Sequence, residues 1–237
     1  MRAPAITVAG SASIGGEHVF GPLAAEFPAA CWTALLGASG TGKSTLLRLL
    51  SGLSESIGFD GHITCDDGQP LVPRTILMQQ VDLLLPWASV IENVTIGAAL
   101  RGEPPQGKKA RQLIAEVGLA GLEGRRPSEL SGGQRQRVAL ARTLAEERSV
   151  VLLDEPFSAL DPGTRRQMQD LALRLLRGRT VVLVTHDPLE AARLGSKIML
   201  MTARGVEPVD LPETIGCEDR TADAAAMLMR KLVSAQG

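Results

Sequence analysis

Short apolar runs broken by glycine and proline characterise the first part of the chain, at residues 6–8, 23–27, 31–36, 61–64 and 74–78. Runs of this length between turn-forming residues predict β-strands rather than helices. The polar turn Asp66–Asp67–Gly68 separates the last two runs. The first part of the chain is therefore predicted to be mainly β-structure.

The period of the apolar positions becomes helical near residue 89. Ser89 and Glu92 have the spacing of a capping box, in which two side chains satisfy amide groups at a helix N-terminus. A second helix is predicted over residues 108–117, with Leu113, Ile114 and Val117 on one side. A mostly helical block therefore follows the strands.

Apolar strands and amphipathic helices alternate in the rest of the chain. Strands are predicted at residues 150–153, 180–184 and, as the last core strand, 197–202. Helices are predicted to start near Ser131, Asp161 and Asp187, and a final one to cover residues 221–233. This alternation is typical of an α/β fold, in which a parallel sheet is covered on both faces.

A phosphate-binding pattern lies between the third predicted strand and a helix. Gly37, Gly42, Lys43 and Ser44 match G-x-x-x-x-G-K-[ST]. Glycines allow consecutive N–H groups to point at a polyphosphate, and the N-terminus of the next helix favours negative charge. Lys43 would contact the β- and γ-phosphates, and Ser44 would bind Mg²⁺. The alternative is a glycine-rich turn with a chance lysine, but the flanking strand and helix favour a nucleoside triphosphate site.

Two other places in the chain offer groups suited to the same ligand. Ser131–Gly132–Gly133–Gln134 would form a second glycine-backed helix start, although an ordinary cap would also explain Ser131 and Gln134. Asp154 and Glu155 end a buried strand, where a carboxylate can hold Mg²⁺ through water. Acids at strand ends can also be simple helix caps, and a lone histidine such as His186 is usually structural.

The composition narrows the classes of function. The net charge of −1 gives no general basic field, so nucleic acid is not an expected partner. Cys31, Cys65 and Cys217 are scattered, which indicates reduced thiols rather than disulfides or a zinc site. We find neither the order of a signal peptide nor about 18 uninterrupted apolar residues, so a membrane role would require a separate chain.

The chain resembles the ATP-binding-cassette (ABC) ATPases over essentially its whole length. Leu130–Ser131–Gly132–Gly133–Gln134 reproduces their signature motif, and residues 150–155 resemble their Walker B strand. Residues 158–161 match their D-loop, and His186 follows a strand at the position of their switch histidine. Counting back from Pro86 and Trp87 places Gln80, rather than Gln79, at the position of their Q-loop glutamine.

This resemblance implies a fold and a domain arrangement. It implies a P-loop NTPase (RecA-like) core with a parallel sheet, an antiparallel β subdomain and an inserted α-helical subdomain. The whole chain, 1–237, would be one ABC ATPase domain, with the core at about 1–86 and 148–205. The helical subdomain would cover about 87–147, and a C-terminal helix about 221–234.

The resemblance also implies the roles of individual residues. The residues that bind ATP would be Gly37, Ser39, Gly40, Gly42, Lys43, Ser44, Thr45, Ser131, Gly133, Gln134 and Asp161. The Mg²⁺ ligands, direct or through water, would be Ser44, Gln80 and Asp154. The catalytic residues would be Glu155, which would polarise the attacking water, together with Gln80 and His186. The apolar run 83–87 is either plain core or an exposed cleft for a helix of a membrane subunit.

The implied partners are those of a bacterial importer. Two copies would form a head-to-tail homodimer, each ATP lying between the phosphate loop of one copy and Ser131–Gln134 of the other. The dimer would sit on the cytoplasmic face of the cell membrane on integral membrane permease subunits, served by a periplasmic or surface solute-binding protein. Residues 84–87 resemble the nitrate, sulfonate, taurine and thiamine-precursor branch, and the opening through Gly21–Pro22 the hydroxymethylpyrimidine members.

One position departs from the family pattern. The family usually stacks an aromatic ring on adenine about 23 residues before the first loop glycine, and this count leads to Ile14. The chain contains no tyrosine, and Phe20 is the nearest aromatic residue. We therefore expect adenine to be held by apolar contact, with weaker selectivity for the base.

Other functions that share parts of this pattern remain open. A non-transport ABC ATPase acting on DNA or ribosomes would carry long coiled coils or two cassettes. An efflux-system subunit would keep the same motifs. A small-molecule or nucleotide kinase would share the phosphate loop but would not need residues 130–134.

Overall fold

The computed structural model describes residues 2–104, 106–202, 205–210 and 219–234, which leaves Cys217 outside the described part. The described residues divide into two compact units. The first, here called the strand unit, combines residues up to 77 with 149–154 and with those from 178 onward. The second, here called the helical unit, contains residues 78–148 and 155–177.

A three-stranded antiparallel sheet begins the strand unit. It consists of β1 (Ile6–Ile14), β2 (Glu17–Phe27) and β4 (Ile57–Cys65), in the order β2-β1-β4. In β1 and β2, Ile6 pairs with Phe27 and Ile14 with Glu17. These strands are longer than the apolar runs predict. One face of the sheet is exposed, so polar residues and glycines on that face interrupt the apolar pattern within each strand.

The second sheet of the described residues has six strands. They are β3 (Trp32–Leu36), β5 (Thr75–Met78), β6 (Val150–Asp154), β7 (Thr180–Thr185), β8 (Lys197–Thr202) and β9 (Gly205–Val209). Their order is β5-β6-β7-β3-β8-β9. The pairs β6–β7, β7–β3 and β3–β8 are parallel, which confirms the predicted parallel core.

The predicted strand at residues 197–202 is present as β8, but it is not the last strand of the sheet. β9 follows β8 and pairs with it in antiparallel fashion, from Ile198 opposite Val209 to Thr202 opposite Gly205. Its sequence, Gly-Val-Glu-Pro-Val, does not indicate a core strand, because proline cannot donate a ladder hydrogen bond. The edge position of β9 in the sheet makes Pro208 acceptable there.

Helices cover both faces of the six-stranded sheet, as the sequence predicts. On one face, α1 (Lys43–Ser51) contributes Leu46, Leu47 and Leu50 to a core that includes Leu35 and Val184. On the other, α6 (Pro188–Leu194) and α7 (Asp219–Ser234) pack against residues of β3, β8 and β9. The predicted final helix, 221–233, is thus present and slightly longer.

The helical unit contains α2 (Val90–Leu100), α3 (Gly107–Glu116), α4 (Gly132–Ala145) and α5 (Pro162–Leu175). The predicted capping box at the start of α2 is present: the Ser89 hydroxyl accepts from the amide of Glu92, and the Ser89 amide donates to the Glu92 carboxylate at 2.7 Å. Hydrogen bonds from the hydroxyl and amide of Ser89 lower the pKa of Glu92. Short 3₁₀ turns lie at Val72–Arg74, in the strand unit, and at Pro127–Glu129.

Among the described residues, every helix is too short or too polar to cross a bilayer.

Candidate functional site

The phosphate loop of the strand unit connects the end of β3 to the start of α1. Gly42 is the N-cap of α1 and has a φ of 92°, a left-handed conformation that favours glycine. No side chain caps this helix start. The first-turn N–H groups of a helix have no partner within the helix, so an uncapped start suits an anion.

The two outer glycines of the motif are required by close packing. A Cβ atom on Gly37 would lie 2.4 Å from the carbonyl oxygen of Met201. A Cβ atom on Gly42 would lie 2.7 Å from Cδ1 of Phe20. Either atom would force the surrounding backbone or ring to move, so the loop keeps its form only with glycine at both positions.

Lys43 is 7% exposed and is held inside the loop. Its ammonium group donates to the carbonyl oxygens of Gly37, at 2.9 Å, and of Ala38, at 2.6 Å. Ser39, Gly40 and Ser44 are exposed, and Thr45 is partly buried. The predicted phosphate-binding residues thus form one loop with a positive charge inside it and an open crest.

The register of the parallel strands brings Asp154 and His186 to the same edge of the sheet as this loop. Asp154, the last residue of β6, lies opposite Val184 of β7. Leu36, which precedes the loop, lies opposite Thr185, and His186 follows directly. The carboxyl ends of adjacent parallel strands are where α/β proteins bind ligands.

The donor set of this edge fits Mg²⁺. Ser44 provides an exposed hydroxyl and Asp154 a carboxylate that is 7% exposed. No group of three or more His, Cys, Asp or Glu residues that could hold a metal is present among the described residues. Mg²⁺ usually takes one or two protein oxygens and completes its shell with phosphates and water, so a sparse set is what it requires.

Gln80 and Glu155, two of the predicted catalytic residues, are in contact within the helical unit. The Gln80 amide nitrogen Nε2 donates to Oε2 of Glu155 at 3.0 Å. Glu155 itself has a φ of 48°, in the left-handed region that is unusual for a residue with a side chain. Their juxtaposition agrees with the sequence analysis, and their roles remain a prediction.

Gln136, which the sequence analysis did not single out, also holds this segment. Its Nε2 donates to the carbonyl oxygen of Glu155 at 3.2 Å, and its Oε1 accepts from the amide of Ala159 at 3.0 Å. Gln136 is 5% exposed and shares a face of α4 with buried Ala139 and Thr143. A polar residue on a buried helix face was the sequence signal that could have revealed it.

Ser131 and Gln134 form the capping box of α4. The Ser131 amide donates to the Gln134 side chain at 2.8 Å, and the Gln134 amide donates to the Ser131 hydroxyl at 3.2 Å. A Cβ atom on Gly132 or Gly133 would meet only ordinary van der Waals distances, 3.8 Å and 3.4 Å at the nearest atom. Capping therefore explains the serine and the glutamine, whereas packing within the chain does not require the two glycines.

Asp161 is the N-cap of α5. Its carboxylate accepts from the amide of Thr164 at 3.0 Å, and hydrogen bonds from Thr164 lower the pKa of Asp161. Asp161 is therefore a helix cap, as the sequence predicts. The contact of Asp161 with nucleotide stays a prediction. Ser131, Gly133, Gln134 and Asp161 all belong to the helical unit.

The apolar run at residues 83–87 is partly core and partly exposed. Leu84 is buried, whereas Val81, Leu83 and Trp87 are 66%, 52% and 70% exposed. We call these last three residues the apolar loop surface. Such an exposed group of large apolar side chains is a typical protein-interaction feature.

Two polar side chains fix the loop that carries this surface. The Asn93 side chain, 0% exposed, accepts from the amide of Leu85 and donates to the carbonyl groups of Leu85, Ala88 and Ser89. The Arg142 guanidinium donates to the carbonyl groups of Asp82 and Leu83, and burial lowers its pKa. The loop backbone is thus held in one conformation although its side chains face outward.

Phe20 cannot offer a ring face for adenine. It is 0% exposed and lies beneath Gly42 of the phosphate loop. Ile14, at the end of β1, is 38% exposed. Phe20 therefore cannot replace the aromatic residue that the family stacks on adenine, and Ile14 is the residue at that position.

Comparisons with known proteins identify relatives of this chain. The family model described as "ABC transporter" matches residues 21–158. An uncharacterised ABC transporter ATP-binding protein of Haemophilus influenzae is 48% identical over 172 residues, which cover 72% of this chain and 70% of the relative. The aliphatic sulfonates import ATP-binding protein SsuB 1 of Rhodococcus jostii is 47% identical over 74% of this chain and 69% of its own length.

A third relative has another substrate in its name, and a solved structure is dimeric. The trimethylamine N-oxide transport system ATP-binding protein TmoW of Ruegeria pomeroyi is 45% identical over 76% of this chain and 57% of its own length. A dimeric post-hydrolysis state of an ATP-binding cassette with ADP and Pi superposes with a TM-score of 0.77 and 26% identity. It covers 88% of this chain and all of that one.

The packing of Gly42 on Phe20 predicts the effect of an alanine in the loop. Gly42→Ala should lower the Tm by several degrees more than Gly40→Ala. Both positions have a left-handed φ, but a Cβ at Gly40 would meet nothing within 4 Å. Thermal unfolding of both variants measures the difference, and Phe20→Leu should partly restore Gly42→Ala. Equal losses for the two alanines would contradict the packing argument.

Proposed function

The chain belongs to the ABC transporter family, and on that premise we propose that it is the ATP-hydrolysing subunit of a bacterial importer. The observation that carries this proposal is the common sheet edge of the phosphate loop, Asp154 and His186. That edge gathers a buried lysine, an uncapped helix start and a strand-end carboxylate, which are the groups that a Mg²⁺-bound triphosphate requires.

Binding of ATP rests on the loop and on α1. Lys43 donates to two loop carbonyls, and the γ-phosphate would take over part of that donation. The N–H groups in the first turn of α1 would contact the other phosphate oxygens. Ser44 and Asp154 would hold Mg²⁺, which supplies charge neutralisation at the β- and γ-phosphates.

Hydrolysis requires a residue that orients and activates water, and we assign this role to Glu155. The carboxylate would accept a proton from the water while the oxygen of that water attacks the γ-phosphorus. The bond between the γ-phosphorus and the β–γ bridging oxygen would break, which leaves ADP and phosphate. Gln80 donates to this carboxylate and so restricts its rotamers. His186 would donate to the γ-phosphate from its place after β7.

Two copies are needed to complete each site. The glycines at 132 and 133 have room that packing within the chain does not use, which suits close approach of a phosphate from a second copy. The dimeric cassettes among the structural neighbours support the same arrangement. ATP would bind the closed head-to-tail dimer more tightly than the open one, and loss of the γ-phosphate would remove this difference.

Transport requires a membrane partner. We assign the apolar loop surface of Val81, Leu83 and Trp87 to contact with an integral membrane permease on the cytoplasmic side. The names of the sulfonate relatives support import rather than efflux. A periplasmic or surface solute-binding protein would deliver the cargo to that permease.

The cargo we propose is a small solute of the kind that these relatives take up. Their names favour a sulfonate, and nitrate or a thiamine precursor belongs to the same predicted branch. A kinase or a non-transport ATPase would not account for relatives that are named as transport proteins, so we propose neither function.

Glu155→Gln provides the direct test of the catalytic assignment. The variant should lose at least about 100-fold in kcat, since a positioned general base contributes roughly 10²–10⁴-fold, while its Kd for ATP stays within a few-fold of the wild type. Steady-state hydrolysis and ATP binding measure these two effects, and size-exclusion chromatography should show that the variant still dimerises with ATP. Glu55→Gln, at an exposed position of the strand unit, is the control. Near-normal turnover of Glu155→Gln would refute the role of Glu155.

The apolar side chain of Ile14 leads us to predict weak discrimination between adenine and guanine. The Kd values of ATP and GTP should differ by less than about tenfold, because apolar contact does not distinguish the polar edges of the two bases. Stacking of a base on an aromatic ring, which contributes roughly 1–3 kcal/mol, is missing here. Ile14→Tyr should tighten ATP binding, whereas Asp60→Tyr, at an exposed position of the same sheet, should not. A strong preference of the wild type for ATP would count against this prediction.

A further inference from the structure

The backbone at Glu155 adopts a conformation that its own sequence disfavours. Its φ of 48° places a residue with a side chain in the left-handed region. The next residue is Pro156, and steric contact with a proline ring biases the preceding residue toward extended conformations. Something outside this dipeptide must therefore stabilise the observed geometry.

Three hydrogen bonds converge on the carbonyl oxygen of Glu155. Two come from the local turn, from the amide of Ser158 at 3.3 Å and from its hydroxyl at 3.0 Å. The third comes from Nε2 of Gln136 at 3.2 Å, which belongs to α4 and lies 19 positions earlier. The third bond joins the turn to α4, and the Arg165 guanidinium of α5 also holds the turn through the carbonyl oxygens of Phe157 and Leu160.

Gln136 holds the far end of the same turn as well. Its Oε1 accepts from the amide of Ala159 at 3.0 Å, so one planar amide group spans residues 155 to 159. The side chain is buried on a helix of 14 residues. A buried, doubly bonded amide on a rigid helix has little freedom, so it can fix both the position and the direction of the turn.

We propose that Gln136 is a positioning residue for ATP hydrolysis, which fixes the backbone of Glu155 and thereby the direction of its carboxylate. This inference rests on the proposed role of Glu155. Gln80 holds the carboxylate from one side, and Gln136 holds the backbone that carries it. Removal of the Gln136 amide leaves the turn bonds of Ser158 and Arg165 in place but removes the hydrogen bonds that join the turn to α4. Small displacements of a reacting group have large kinetic effects.

The test compares Gln136→Met with Gln169→Met in the full-length chain. Methionine keeps the size and shape of glutamine and removes both hydrogen bonds. Gln169, on α5, is an equally buried glutamine of the helical unit at 4% exposure and serves as the matched control. Gln136→Met should reduce kcat at least about tenfold, with the Kd for ATP within twofold of the wild type, while Gln169→Met keeps a normal kcat.

A second variant covers the case in which Gln136→Met does not fold. Gln136→Glu retains an oxygen for the amide of Ala159 but places a carboxylate against the carbonyl of Glu155. It should hydrolyse ATP as slowly as Gln136→Met and bind it normally. Normal turnover in either soluble variant, or an increase in Kd as large as the decrease in kcat, would overturn the proposal.

A double-mutant cycle separates this inference from the assignment of Glu155. If Gln136 acts through Glu155, Gln136→Met should cause no further loss of kcat in the Glu155→Gln background. An additional loss of tenfold would indicate a general structural defect and would overturn the inference alone. High turnover of the single variant Glu155→Gln would instead refute the role of Glu155, whatever the result for Gln136.

Discussion

The parallel pairing of β6, β7 and β3 is the constraint on which the proposed nucleotide site depends. Because the three strands run in the same direction and in register, Asp154, His186 and the loop after Leu36 reach one edge of the sheet. The loop can follow β3 so closely only because Gly37 and Gly42 lack side chains where Met201 and Phe20 approach. A charged loop is thereby built on a rigid apolar core.

The groups that we propose for the helical unit depend on one helix. α4 begins at the Ser131 cap, and its buried face ties the turn at Glu155 through Gln136. Further along, Arg142 holds the backbone of the loop that bears Leu83. One helix thus contacts the signature serine, the proposed base and the loop of the proposed permease surface.

The sequence predicts the parts whose signal is local. Continuous apolar runs identify β3, β6 and β7, and capping residues identify the starts of α2, α4 and α5, because these signals depend on neighbouring residues alone. β9 escaped prediction because an edge strand needs few apolar residues and carries Pro208. The role of Gln136 depends on a carbonyl 19 positions away, and the left-handed backbone of Glu155 is imposed by tertiary contacts, so neither follows from local pattern.

We propose that a triphosphate joins the phosphate loop of one copy to the signature helix of another. Cysteine cross-linking tests this directly, with Ser39→Cys at the exposed loop crest and Gly132→Cys at the start of α4, where a Cβ has room. Both single variants would carry Glu155→Gln and lack the native cysteines. With ATP and a short bifunctional reagent, a mixture of the two should give a covalent dimer that neither gives alone. A mixture that binds ATP and stays monomeric, or a dimer from Ser39→Cys alone, would contradict the head-to-tail arrangement.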